Sequence, residues 1–296
     1  MTAPEGGRTL AGILAPVTTP FDAATGDVSL LHATQNARRL LADGLDGLVV
    51  NGTTGEAPLL EPDEQRRLVA ALRPAVPRDR WLLAGTGAES TRGAIALTRA
   101  AAAAGVDAVL VRPPSYYHAA HSADSITAYY RAVADASPVP VLVYNIPKHT
   151  HLPVPAEVLA ALAAHGNIVG AKDSSGDLKN LAAYRAAVPS WALFVGSGSL
   201  LFSGLEAGCV GGIVGVACFA AAMSAELLAV FRAGNLSRVG TLQNRLTALD
   251  KEIVARGPAA IKAAMDAVGL YGGPVRDPLA PLAALERERI GHLFAA

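Results

Sequence analysis

The chain has 296 residues, 51% of them hydrophobic and 17% charged, with 25 basic side chains against 25 acidic ones. A core of full domain size can form, while nucleic acid or another polyanion finds no excess of positive charge to bind. Cys209 and Cys218 are the only cysteines, both among apolar neighbours, which excludes a disulfide framework and fits buried thiols in a reducing compartment.

At the N-terminus, Met1-Thr2-Ala3-Pro4-Glu5-Gly6-Gly7-Arg8 has no basic stretch leading into an apolar block, so no secretory signal is expected and a cytoplasmic protein is. From there the chain repeats one unit. Short β-rich runs ending in small or polar residues occur at 11–18, 45–51, 81–86, 106–112, 139–145, 167–172, 192–197 and 210–216. Between them lie Ala/Leu/Arg-rich stretches of helical length at 28–43, 62–75, 90–104, 122–136, 155–165 and 177–188. Eight strands alternating with helices in a chain of this size predict an α/β fold, a parallel (β/α)8 TIM barrel; an open doubly wound sheet is the other arrangement. Residues 207–225 carry no charge, yet they include Gly208, Gly211, Gly212 and Gly215 and lie inside a pattern that continues on both sides. That predicts a buried strand, a turn and a small-residue helix, and no membrane span. The helical patterns at 219–233, 236–255, 258–269 and 281–293 exceed what one closing helix requires. The chain therefore divides into a barrel catalytic domain over residues 9–233 and a C-terminal helical appendage over 234–296.

In such a barrel chemistry sits where strands end. The sixth run, Asn167-Ile168-Val169-Gly170-Ala171-Lys172, is followed by Asp173-Ser174-Ser175-Gly176-Asp177, the composition of a strand handing over to a capped helix. Lys172 is thus expected at the end of a buried strand, where an apolar setting disfavours the ammonium and frees the amine to attack a carbonyl. A lysine whose head reaches water from a strand end would have the same sequence. The second run ends in Asn51-Gly52-Thr53-Thr54-Gly55-Glu56: its glycines let the backbone approach a ligand, and Thr53 and Thr54 offer hydroxyls and N–H groups to a carboxylate. The fifth ends in Tyr144-Asn145-Ile146-Pro147, putting a phenol one strand from Lys172, suited to proton transfer. The fourth ends in Arg112-Pro113-Pro114-Ser115-Tyr116-Tyr117, whose tyrosines serve either a relay or loop packing.

Two further features point to other chemistry. Gly196-Ser197-Gly198-Ser199 and the glycines Gly211, Gly212 and Gly215 stand where barrels often hold a phosphate, although glycines needed for tight turns look the same. His118, His121, His149 and His151 lie in polar loops without an acidic ligand cluster at a diagnostic spacing, so no metal is expected.

Taken together, Gly52-Thr53-Thr54-Gly55-Glu56, Tyr144-Asn145-Ile146-Pro147 and Gly170-Ala171-Lys172-Asp173 resemble the dihydrodipicolinate synthase / N-acetylneuraminate lyase superfamily of class I aldolases. The resemblance runs from Gly12-Ile13-Leu14-Ala15-Pro16 to Tyr271-Gly272-Gly273-Pro274. It implies that Lys172 is the Schiff-base lysine and Tyr144 the proton-transfer tyrosine. It also implies that Thr53 joins Tyr144 and Tyr117 in a hydroxyl relay, with Tyr117 reaching in from a neighbouring subunit of a homotetramer. Thr54 would help to hold the carboxylate of pyruvate, and Gly52, His149, Gly196, Ser197 and Gly215 would line the substrate site. No cofactor is implied beyond the covalent imine.

The superfamily's synthases read Tyr-Asn-x-Pro-x-Arg-Thr, but here His149 stands at the arginine's place. A mostly neutral imidazole lacks arginine's bidentate fork. Asp173-Ser174-Ser175-Gly176-Asp177, Leu83-Ala84-Gly85-Thr86-Gly87-Ala88-Glu89-Ser90-Thr91 and the Tyr-Gly-Gly-Pro tail look like 4-hydroxy-2-oxoglutarate aldolases, whose animal-type members carry Ser-Asn in place of Thr53-Thr54. The expected activity is a pyruvate-dependent lyase acting on a 4-hydroxy-2-oxo acid. Dihydrodipicolinate synthesis from aspartate semialdehyde, a sugar-acid aldolase or dehydratase, and a non-catalytic 2-oxo-acid-binding barrel are the other readings.

Overall fold

The structure, a computed structural model, describes residues 8–295. Most of the N-terminal run on which the absence of a secretory signal was expected, residues 1–7, and Ala296 at the end of the expected appendage lie outside them. Eight strands, β1 Gly12–Pro16, β2 Gly47–Val50, β3 Trp81–Gly85, β4 Ala108–Val111, β5 Val141–Asn145, β6 Ile168–Asp173, β7 Ala192–Val195 and β8 Gly211–Ile213, pair in sequence order, all parallel. β8 also pairs with β1, Gly211 opposite Gly12, which closes the sheet into a barrel and rules out the open arrangement. Glycine makes that closure possible, because a Cβ on Gly211 would run into the backbone of Gly12.

Outside the barrel lie α1 Leu30–Ala42, α2 Pro62–Leu72, α3 Thr91–Ala103, α4 Ala123–Ala136, a single turn α5 Pro147–Thr150, α6 Ala156–Leu162, α7 Leu178–Ala187 and α8 Leu201–Glu206. The sequence pattern contained no helix between the seventh and eighth strands, since the six residues of α8 are too few for a 3.6-residue period to register. α7 starts as its sequence predicts: Asp177 is the N-cap and its carboxylate accepts the Lys179 N–H at 2.8 Å.

The strands are apolar on both sides, yet alternation still sorts them. Leu14, Val49, Leu83, Leu110, Leu142 and Ile213 fill the barrel, while Ile13, Leu48, Leu82, Val109 and Val141 pack outward under the helices. The uncharged stretch 207–225 resolves into β8, a 3-10 turn over Gly215–Cys218 and the start of α9 Ala221–Arg232. Among the described residues no helix is long and apolar enough to cross a membrane.

Past α9 come α10 Leu236–Glu252, α11 Pro258–Ala267 and α12 Ala284–His292. The expected boundary at residue 234 falls in the turn between α9 and α10, but the two parts are stitched together. Asn36 of α1 exchanges two hydrogen bonds with the Tyr271 backbone, at 2.8 and 3.0 Å, and the Tyr271 hydroxyl donates to the Phe21 carbonyl at 2.8 Å. The segment after α11 thus crosses the loops that follow β1 and β2, at the end of the barrel where the chemistry was expected.

Candidate active site

Lys172 faces the barrel interior because of an irregularity in its own strand. The β5–β6 register shifts after Val141, which is opposite Ile168, to Leu142 opposite Gly170, so that Val169 is left over. Strict alternation from the outward-facing Ile168 would point Ala171 in and Lys172 out; one extra residue reverses the phase, and Ala171 packs outward instead. Gly170 permits the bulge, since a Cβ there would collide with the Ala192 carbonyl of β7. Lys172 is consequently buried at 4% exposure, directly across from Tyr144, with its Nζ 4.2 Å from the centre of the tyrosine ring.

One step beyond this pair, Asn145 and Asp173 bind the strand ends together. The Asn145 Nδ2 donates to Asp173 Oδ1 at 2.6 Å, and its Oδ1 accepts the Val154 N–H at 3.0 Å. Asp173 further accepts the Ser175 hydroxyl at 2.6 Å and the Asn180 amide at 3.0 Å. Asn145 and Asp173 stand beside the motif residues in the sequence, but their pairing into this hub depends on how β5 and β6 meet.

Thr53 and Thr54 occupy a turn closed by the Gly55 and Ala57 N–H groups donating to the Gly52 carbonyl at 3.1 and 3.2 Å. The Thr19 hydroxyl donates to the Gly55 carbonyl at 2.6 Å. Asn51 and Glu56, at the two ends of the turn, both have left-handed backbones (φ 56° and 58°), a conformation that persists only where the surroundings impose it.

These elements meet in a cavity of about 530 Å3 lined by Thr53, Thr54, Tyr144, His149 and Lys172 and, across the mouth, by Gly196, Ser197 and Gly215. That volume is ordinary for a small-molecule site, roughly 300–1,000 Å3. The far wall comes from the appendage: Asp250, Lys251, Val254, Arg256 and Pro258. Asp250 accepts the Ser197 hydroxyl at 3.1 Å, the Ser199 N–H at 3.0 Å and the Ser199 hydroxyl at 2.6 Å. The donors that a phosphate would need after β7 are thereby committed to a carboxylate. Gly196 and Gly211 owe their lack of a side chain to tight packing, against Ser174 and Gly12 respectively. No local spacing marks Asp250 as a neighbour of Ser197.

Two expected site residues are placed elsewhere. Gly52 lines a neighbouring cavity of about 340 Å3 that shares Thr53 and Tyr144, and its carbonyl serves the turn. Tyr117 is 72% exposed in the loop after β4 and does not reach the Lys172 cavity within its own chain. Glu89 holds that loop, accepting the Ser115 and Tyr116 N–H groups at 2.8 and 2.9 Å and the Ser115 hydroxyl at 2.7 Å.

His149 is in the cavity, but burial, then the charge of Lys148 and of His151, lowers its pKa, so the imidazole is neutral near pH 7. Burial pushes the Cys218 thiol up to about 12 and the Cys209 thiol to about 11, so neither is a nucleophile at neutral pH. Among the described residues no three His, Cys, Asp or Glu side chains group as a metal site.

The sequence model of the Dihydrodipicolinate synthetase family matches residues 9–296. The chain is 34% identical to the 4-hydroxy-tetrahydrodipicolinate synthase of Desulforudis audaxviator over 284 residues, covering 95% of this chain and 96% of that protein. It is 36% identical to 4-hydroxy-tetrahydrodipicolinate synthase 1 of Streptomyces coelicolor over 293 residues, covering 98% and 92%. Among solved structures it matches a dihydrodipicolinate synthase from Bacillus anthracis with a TM-score of 0.92 at 28% identity, covering 97% of this chain and 98% of that one. A prophage protein of the dihydrodipicolinic acid synthase family from E. coli K12, solved in complex with pyruvate, matches with a TM-score of 0.91 at 27% identity and the same coverage.

Proposed function

The chain belongs to the dihydrodipicolinate synthetase family and is an enzyme of the aldolase kind, and from that premise we propose a class I mechanism in which Lys172 forms an imine with the 2-oxo group of pyruvate or of a larger 2-oxo acid. The observation that carries this reading is the buried lysine lying against Tyr144 across two paired strands, in one cavity with Thr53 and Thr54.

In the cleavage direction the Lys172 amine adds to C2 and water leaves, giving a cationic imine. Tyr144 passes its phenolic proton into the hydroxyl relay as it takes the proton of the C4 hydroxyl, the C3–C4 bond breaks, and its electron pair flows into the imine to give an enamine while the aldehyde departs. Protonation at C3 and hydrolysis then return pyruvate and the free lysine. The N–H groups and hydroxyls of Thr53 and Thr54 hold the 2-oxo acid carboxylate throughout. The imine is the electron sink, so the route needs no cofactor. Thr53 and a partner subunit's tyrosine loop, bearing Tyr117, complete a proton relay in a homotetramer; an active monomer by sedimentation would remove that contribution.

The substrate is a 4-hydroxy-2-oxo acid such as 4-hydroxy-2-oxoglutarate, with glyoxylate as the aldehyde. The names of the relatives favour a second reading, condensation of pyruvate with aspartate semialdehyde. A neutral His149 where those synthases' pattern has arginine weighs against it. The test is intact-mass analysis after incubation with pyruvate and borohydride, with peptide mapping. A reduced adduct on Lys172 followed by turnover of glyoxylate supports the proposal; no adduct overturns it.

A further inference from the structure

Beneath the Thr53–Thr54 turn lies a charged pair that the reaction itself does not use. Glu56, at the end of the turn, sends its side chain away from the cavity into the protein, where it is fully buried. Its Oε1 lies 2.6 Å from Nζ of Lys262, also buried, and its Oε2 accepts the Arg276 N–H at 2.9 Å. Among the described residues Oε1 finds no directed hydrogen bond, so the ammonium's charge is its compensation. Lys262 in turn donates to the Pro274 carbonyl at 2.6 Å. Phe21, from the loop after β1, has both Lys262 Nζ and the Arg276 guanidinium 4.4 Å from its ring centre. The Arg276 guanidinium also makes a two-pronged ion pair with Glu64 of α2.

The elements involved matter more than the pair alone. α11 begins at Gly257 and Pro258 on the rim of the Lys172 cavity, with Ile261 lining it, and the next residue is Lys262. One helix of the appendage therefore touches the cavity and grips the turn that closes its opposite side. Burying two charges for stability alone is a poor use of them, since an apolar pair of similar size serves as well or better. Charges with a fixed partner geometry instead select one conformation, and this turn has a left-handed non-glycine residue at each end that needs holding. Burial lowers the Lys262 pKa and Glu56 opposes that shift, as expected of a pair that acts as a unit.

We propose that Glu56 and Lys262 are positioning residues: through their buried ion pair the C-terminal appendage sets the Thr53–Thr54 turn in the shape that binds the 2-oxo acid carboxylate. The pair acts on the carboxylate only through that turn, and the catalytic half of the inference rests on the imine reading above.

The test compares Glu56→Gln, Lys262→Met and the double variant Glu56→Met/Lys262→Met with the wild-type enzyme. In each variant that folds, half-saturation for pyruvate in the borohydride assay is expected to rise roughly tenfold or more, with KM for the aldehyde unchanged. Hydrogen exchange at the 53–57 amides is expected to accelerate by a similar factor while the core strands stay protected. The double variant separates positioning from stability: with no lone buried charge its melting temperature lies above that of either single variant, but with no acceptor for the Arg276 N–H and no donor to the Pro274 carbonyl its pyruvate half-saturation stays high. Should Lys262→Met fail to fold, Glu56→Gln and the double variant decide. Wild-type values of both pyruvate half-saturation and 53–57 exchange in these variants would overturn the inference and leave the pair a structural one. If the wild-type enzyme forms no adduct, the imine reading falls, and the exchange measurement alone judges whether the pair holds the turn.

Discussion

Replacing Asn145 with alanine is expected to unfasten Tyr144 and Lys172 together. Asn145 is 1% exposed and lies opposite Asp173, one step beyond the Tyr144–Lys172 pair. The alanine leaves the buried Val154 N–H without its acceptor, at a cost of about 1–3 kcal/mol, and deletes a hydrogen bond to a charged group worth about 1.5–3 kcal/mol. Asp173 keeps Ser175 and Asn180 as donors, which offsets part of the second loss. A net loss of about 3 kcal/mol, at the lower end of roughly 2–4 °C per kcal/mol for a chain of this size, lowers the melting temperature by about 6 °C. Turnover is expected to fall further than stability does, roughly a hundredfold, because both reacting side chains shift. Asn145→Asp adds a sign test. Two carboxylates at hydrogen-bond distance raise the pKa of one above its unfolded value, so the variant is least stable at high pH and regains stability as the pH falls through the raised pKa and one proton binds. Thermal melts between about pH 5 and 8, with kcat measured alongside, check both statements. A melting temperature for Asn145→Ala within about 1 °C of the wild type would refute the reasoning.

For Tyr144→Phe the expected outcome is a loss of roughly 10²–10⁴ in kcat with the borohydride adduct retained; an unchanged rate would remove the phenol from proton transfer. Gly170→Ala sets a methyl against the Ala192 carbonyl, costs about 1–3 kcal/mol and, by disturbing the bulge that turns Lys172 inward, abolishes the adduct in the protein that still folds. At Glu89 partial burial works against ionisation, but the Tyr116 and Ser115 N–H groups, the Ser115 hydroxyl and Arg112 outweigh it and push the carboxyl down to about 2. Its hold on the tyrosine loop is therefore complete above the ordinary carboxylate range and lost progressively as the pH falls from that range through about 2. Hydrogen exchange in residues 115–117 should accordingly be as slow at about pH 6 as at about pH 8 once corrected for intrinsic rates, and fast at both in Glu89→Gln. His149→Arg is expected to raise kcat/KM for aspartate semialdehyde roughly tenfold or more over an uncharged aldehyde of the same length; equal effects on both would show that this position does not face the acceptor.

Much of the architecture was legible without coordinates because its signal is local. Eight apolar runs alternating with helical ones specify a barrel, and the order of those runs puts Tyr144 and Lys172 on adjacent strands; Asp177 announces the start of its helix by residue type alone. Each of these depends on a period or a cap that a few neighbouring residues complete. Which way Lys172 faces was decided by the bulge at Gly170, and that depends on how closely β7 approaches β6. Asp250 belongs to the cavity because α10 packs over the turn after β7, and Lys262 lies under Thr53 and Thr54 because α11 returns to the loops of β1 and β2. Tyr117 lies outside the cavity of its own chain for the same kind of reason, the path of a loop in space. Local periodicity encodes which elements form and where they end. The meeting of residues far apart in the chain depends on the summed packing of everything between them, and that only the folded chain decides.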